Sequence, residues 1–112
     1  MTADAFRRIA LSLPEAEERA HMNHPDFRVR NKIFATLGYP DGSSGMVKLT
    51  AEQQYNFVRE YPDAFVPVKG GWGAKGCTNV RLGKAKAGPV RSALQLAWQA
   101  AQAAAKAPRK KR

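Results

Sequence analysis

Three prolines constrain this chain more than any other feature, because Pro14, Pro62 and Pro108 each close a stretch with helical periodicity. Proline lacks the backbone N–H that a helix interior needs, so it fixes where a helix stops. Before Pro14, Phe6, Ile9, Ala10 and Leu13 recur at helical spacing, which predicts an amphipathic helix from Ala3 to Leu13 with Thr2 as its cap. Before Pro62, Thr50-Ala51-Glu52-Gln53 is a capping-box sequence, and it opens a helix to about Tyr61 with Gln54, Phe57, Val58 and Tyr61 on one face. Before Pro108, Gly88-Pro89 starts a helix running to about Lys106, with proline at the first position and a buried stripe of Val90, Leu94, Ala97, Trp98 and Ala101.

The segments between these helices alternate with a period of two. Phe27 and Val29 alternate with Arg28 and Arg30, so Asp26 to Leu37 reads as a hairpin with Asn31-Lys32 as its turn. Glu15 to Met22 is highly charged and reads as either a surface segment or a short edge strand. Met46 to Leu49, Phe65 to Val68 and Cys77 to Leu82 are further strands, and Pro40 to Gly45 is a loop by composition. Short turns between consecutive strands imply an α+β fold: an antiparallel sheet with N-terminal, middle and C-terminal helices packed on it. One core is expected, from Phe6, Ile9, Phe27, Phe34, Phe57, Leu94 and Trp98. Residues 1–107 form a single domain on this reading, and 108–112 a disordered basic tail.

Charge divides the chain. Up to Pro62 there are eight basic and eight acidic residues; from Asp63 onward there is one acid against eleven bases, which accounts for the net charge of +10. Such asymmetry favours a polyanionic partner. No run of apolar residues is long enough to cross a membrane, and the start has no secretory pattern. The single cysteine, Cys77, allows no internal disulfide and fits a reducing cytoplasm.

Several motifs invite chemistry. Gly71-Trp72-Gly73-Ala74-Lys75-Gly76 matches G-x-G-x-x-G, but a strand follows it and no acid occurs after Asp63, so the dinucleotide-binding reading fails. Two readings stay open: a loop that touches phosphate through backbone N–H groups, Lys75 and Trp72, or a glycine-rich hairpin with Trp72 folded onto the core. His21 and His24 lack an evident third metal ligand beyond Asp26, and Cys77 has the position of a small buried hydrophobe. No cluster of Cys77, His21 and His24 is expected, whether metal-binding or catalytic. The bases form two groups. Arg28, Arg30 and Lys32 project from the first hairpin; Lys69, Lys75, Arg81, Lys84 and Lys86 follow the glycine-rich segment. Two basic hairpins of this kind suit a phosphate backbone, although charged strand faces are commonly just solvated.

Leu13-Pro14-Glu15, His24-Pro25-Asp26-Phe27-Arg28-Val29, Lys32-Ile33-Phe34-Ala35, Phe65 with Pro67-Val68, Trp72-Gly73 with Gly76, and Ala97-Trp98 occur in an order and spacing that resemble the bacterial MmcQ/YjbR family. The resemblance covers Phe6 to about Ala101. It implies an α/β fold likened to frataxin-like proteins or secretion chaperones, and DNA binding through a double wing of hairpins. The expectation is therefore a non-enzymatic, cytoplasmic DNA-binding protein, a monomer or weak dimer without cofactor or metal. Arg28, Arg30, Lys69, Trp72, Lys75, Arg81, Lys84 and Lys86 would make the contact. The competing expectation is a chaperone-like interaction module with a basic, solubilising surface.

Overall fold

The computed structural model describes residues 1–106 of the chain; the expected tail at 108–112 lies outside them. In chain order the elements are α1 (Ala3–Leu11), β1 (Ala16–His21), β2 (His24–Val29), β3 (Lys32–Leu37), β4 (Ser44–Lys48), α2 (Ala51–Glu60), β5 (Phe65–Pro67), α3 (Gly71–Ala74), β6 (Cys77–Arg81) and α4 (Ala87–Lys106). The strands form one six-stranded sheet in the order β1-β2-β3-β4-β6-β5. Every neighbouring pair is antiparallel. This is the α+β architecture that the alternating segments predict, and the charged Glu15 to Met22 segment becomes the edge strand β1.

Two tight hairpins build the first three strands. Met22 and Asn23 join β1 to β2, and Arg30 and Asn31 join β2 to β3; all four residues have positive φ. A two-residue type I′ turn needs left-handed backbone at both central positions, which matches the twist of the flanking strands. The second turn is therefore one residue earlier than Asn31-Lys32, with Asn31 in its second place and Lys32 already paired to Val29. Register between β2 and β3 then slips, from Phe27 opposite Ala35 to Arg28 opposite Ile33. One extra residue on β3, Phe34, takes up the slip as a bulge. Phe34 and Ala35 are consecutive and both buried, which strict alternation does not give.

Helices α1, α2 and α4 cover one face of the sheet. Phe6, Phe27, Phe34, Val47, Phe65, Val80 and Leu94 are wholly buried between these layers. The Phe6 ring lies so close to Gly45 that a Cβ there would meet it at 3.0 Å. The capping box at α2 is formed as the sequence predicts: Gln53 N–H donates to Thr50 Oγ1, and the Thr50 N–H donates to Gln53 Oε1. Phe57 and Trp98 differ from expectation, since both are half-buried at the margin of the core. Phe57 stacks on Phe65 at the sheet edge, with ring centroids 5.0 Å apart. Trp98 keeps its indole Nε1–H at the surface, where it donates to the Pro14 carbonyl at 2.9 Å. Helix α4 begins at Ala87, so Pro89 lies within the first turn instead of at its first position, still where no N–H is required. Among the described residues, no helix is long and apolar enough to cross a membrane.

Candidate functional site

The opposite face of the sheet carries no long helix. Strand register places Arg19, Asp26, Thr36, Met46, Asn79 and Val66 in one row across all six strands of this face. Lys48 and Cys77 pair at one side of that row and Ser44 and Arg81 at the other. A cleft of about 510 Å³ opens here. Thr36, Met46, Lys48 and Asn79 contribute to it from the strands, while Tyr39 and Trp72 come from around them.

The short helix α3 brings Trp72 to this cleft, and its glycines explain the glycine motif. A Cβ on Gly73 would fall 1.6 Å from the Val68 carbonyl oxygen, and one on Gly76 would fall 1.9 Å from that of Leu49. The segment thus packs backbone against backbone. Gln54 of α2 ties it down, its Nε2 donating to the carbonyls of Gly73 and Cys77 at 3.0 Å each. The glycine-rich stretch is a fixed helical turn, neither a loose loop nor a hairpin. Trp72 does not fold onto the core: it is 64% exposed, with Lys75 Nζ 5.7 Å from its ring centroid.

Behind the cleft residue His21, Asp26 is fully buried and holds two partners. Arg28 donates to it through Nε at 2.8 Å and through Nη2 at 3.1 Å, and His21 Nδ1 lies 2.7 Å away. The Arg28 hydrogen bonds, helped by His21, outweigh burial and hold this carboxyl below the usual carboxylate range. The two-residue hairpin at Met22-Asn23 sets His21 opposite His24. His24 meets Tyr39 edge-on at 5.7 Å, fixing the second exposed ring of the cleft. Burial pushes the Cys77 thiol up, against the opposing pull of Lys48 and Lys75. Among the described residues, no three His, Cys, Asp or Glu side chains are grouped to hold a metal ion.

The structure brings only part of the expected basic set together. Trp72, Lys75 and Arg81 lie on or beside the open face, and Lys69 is exposed in the segment between β5 and α3. Arg28 is engaged by Asp26, and Arg30 by Glu15 at 3.4 Å. Lys84 and Lys86 border a separate groove with Glu60, Asp63 and Pro89. Sequence reasoning missed Lys48, Tyr39 and Asn79. Lys48 alternates with the buried Val47 and Leu49, a strand-period signal, but only the register shows which face it shares. Arg7, Arg19, Arg28 and Arg30 each pair with an acid, whereas no base from Lys32 to Arg91 does so among the described residues.

A crystal structure of Deinococcus radiodurans protein DR2400, which carries the DUF419 domain, is similar in fold: TM-score 0.70, 17% identity, covering 96% of this chain and 89% of that one. No curated protein matches the sequence. The family model YjbR matches residues 11–100, a span that contains the whole sheet and the cleft. The chain belongs to the YjbR family.

Proposed function

We propose that the chain binds DNA through the open face of its sheet, with Lys48, Lys69, Lys75 and Arg81 neutralising backbone phosphates. One observation carries this reading: five of the nine acids, Asp4, Glu15, Glu17, Glu18 and Asp26, pair with arginines of the first thirty residues, and Lys48, Lys69, Lys75 and Arg81 have no acidic partner among the described residues. An arginine already bonded to a carboxylate presents little net charge to a phosphate, while an unpaired lysine keeps its full field. Lys48 and Arg81 stand at opposite ends of the β4–β6 pair, four residues and so about 13 Å apart along the strand. Lys75 stands over Trp72 beside the same face, and Lys69 is exposed just before α3. Nothing in this arrangement reads base sequence from a duplex groove, so binding is of the phosphate-neutralising kind.

Titration of the full chain with single-stranded and duplex DNA at two salt concentrations tests the reading. Affinity falling steeply with salt supports it. Absence of binding at low salt contradicts it and favours an interaction module that uses the same cleft for a protein partner.

A further inference from the structure

The cleft between Trp72 and Tyr39 is not explained by phosphate contacts, which need only surface charge. We infer that it takes an unpaired base of a bound single strand. This inference rests on the DNA-binding reading above and names what the strand does at the centre of the face.

Two aromatic side chains border the cleft, and both are largely in solvent: Trp72 is 64% exposed and Tyr39 62%. A single exposed ring is ordinary, as at Tyr55, but two bordering one cleft form a patch of the kind that marks a binding site. Each is held in place: Tyr39 by the edge of His24, Trp72 by an α3 backbone that Gln54 and two glycine contacts fix. Fixed rings suit a planar aromatic partner, because stacking then costs little side-chain entropy. The floor combines the apolar Met46 with the polar Asn79 and Thr36, neighbours in the row that crosses the sheet. An amide and a hydroxyl there can pair with the donors and acceptors on a base edge, while Met46 and the rings contact its faces.

Charge complementarity selects the occupant. Lys48 lines the cleft and Lys75 stands over Trp72, so a ring entering between them carries its flanking phosphates to two ammonium groups. An apolar peptide would gain nothing from these lysines. A base within a duplex is stacked on both faces and has its edge occupied, so it cannot enter without being pulled out. The inferred occupant is therefore a base of a single strand, chosen by stacking and only weakly by sequence.

The test compares two strands with equal phosphates. Full-length protein is titrated with a thymidylate dodecamer and with an abasic dodecamer of the same length, for wild type, Trp72→Ala and Lys48→Ala. The wild type should bind thymidylate about tenfold more tightly than the abasic strand, the range that stacking of one base supplies. Trp72→Ala should bring the two affinities together, and Lys48→Ala should weaken both. Trp72 is exposed, so its loss leaves the core intact, which far-UV circular dichroism verifies. Equal binding of the two strands by wild type overturns the base cleft while leaving phosphate binding standing. A preference for thymidylate that survives Trp72→Ala overturns it as well. Binding of neither strand overturns the DNA reading itself.

Discussion

Arg28 and Asp26 lie two residues apart on β2, on the same face, and Arg28 closes a two-pronged hydrogen bond onto a carboxylate that has no contact with solvent. A strand's period of two makes this pairing local, and His21 adds a third hydrogen bond from the facing edge strand. The trio fastens β1 to β2 and holds His21, which lines the cleft.

Replacing Asp26 by Asn should destabilise the protein by about 2–4 kcal/mol, the loss expected when one member of a buried, hydrogen-bonded ion pair is removed and the other keeps some access to water. Because the folded-state pKa of Asp26 is lowered, its contribution is complete above the unfolded value of about 3.9 and is lost as pH falls below that, through the folded value. Urea unfolding of wild type and Asp26→Asn should thus differ most at neutral pH and converge under acid conditions. A difference that is the same at every pH would contradict the assignment.

Gln54 connects α2 to α3 by side-chain hydrogen bonds to two backbone carbonyls and to Thr78 Oγ1. Gln54→Ala leaves those carbonyls to water and should cost about 1–2 kcal/mol. It should also loosen Trp72, so strand binding should weaken although no phosphate contact is touched. The check is an unfolding curve paired with a DNA titration of the same variant; unchanged DNA affinity alongside lowered stability would mean that α3 takes no part in binding.

Lys48 and Lys84 carry the same charge on different faces, which separates a site from bulk attraction. Lys48→Ala should lower the salt slope of log affinity for a single strand by about 0.7, and Lys84→Ala, beside Glu60 and Asp63, should leave it almost unchanged. Equal effects of the two substitutions would show that only net charge matters.

Much of the fold was legible because its signals are local. The Thr50–Gln53 capping box involves neighbours in sequence, and it forms as read. The apolar faces of α1 and α4 follow from spacing alone, and Phe6, Ile9, Val90, Leu94 and Ala97 are buried accordingly. What stayed hidden depends on tertiary approach. Three glycines in Gly71–Gly76 argue against a helix on propensity, and only contact with the backbone of Val68 and Leu49 makes α3 favourable there. The Phe34 bulge broke the alternation behind the hairpin reading, and the turn moved by one residue because both of its central positions need positive φ. The Asp26 trio and the place of Lys48 beside the cleft are consequences of register, which a single sequence does not specify. Arg28 and Arg30 looked available by charge; Asp26 lies within reach of Arg28 on β2 itself, whereas Glu15 meets Arg30 only once the chain entering β1 lies beside the end of β2.

The most direct test of the central claim is the salt dependence of single-stranded DNA binding by the full chain and by a Lys48→Ala, Lys75→Ala, Arg81→Ala variant. Both proteins keep the basic residues Arg109 to Arg112, so any difference belongs to the folded face. The account predicts that the triple variant binds more weakly and that its log–log salt slope is shallower by about 2, three phosphate contacts at about 0.7 each. An unchanged slope and affinity would contradict it, because the open face of the sheet would then contribute nothing to DNA binding.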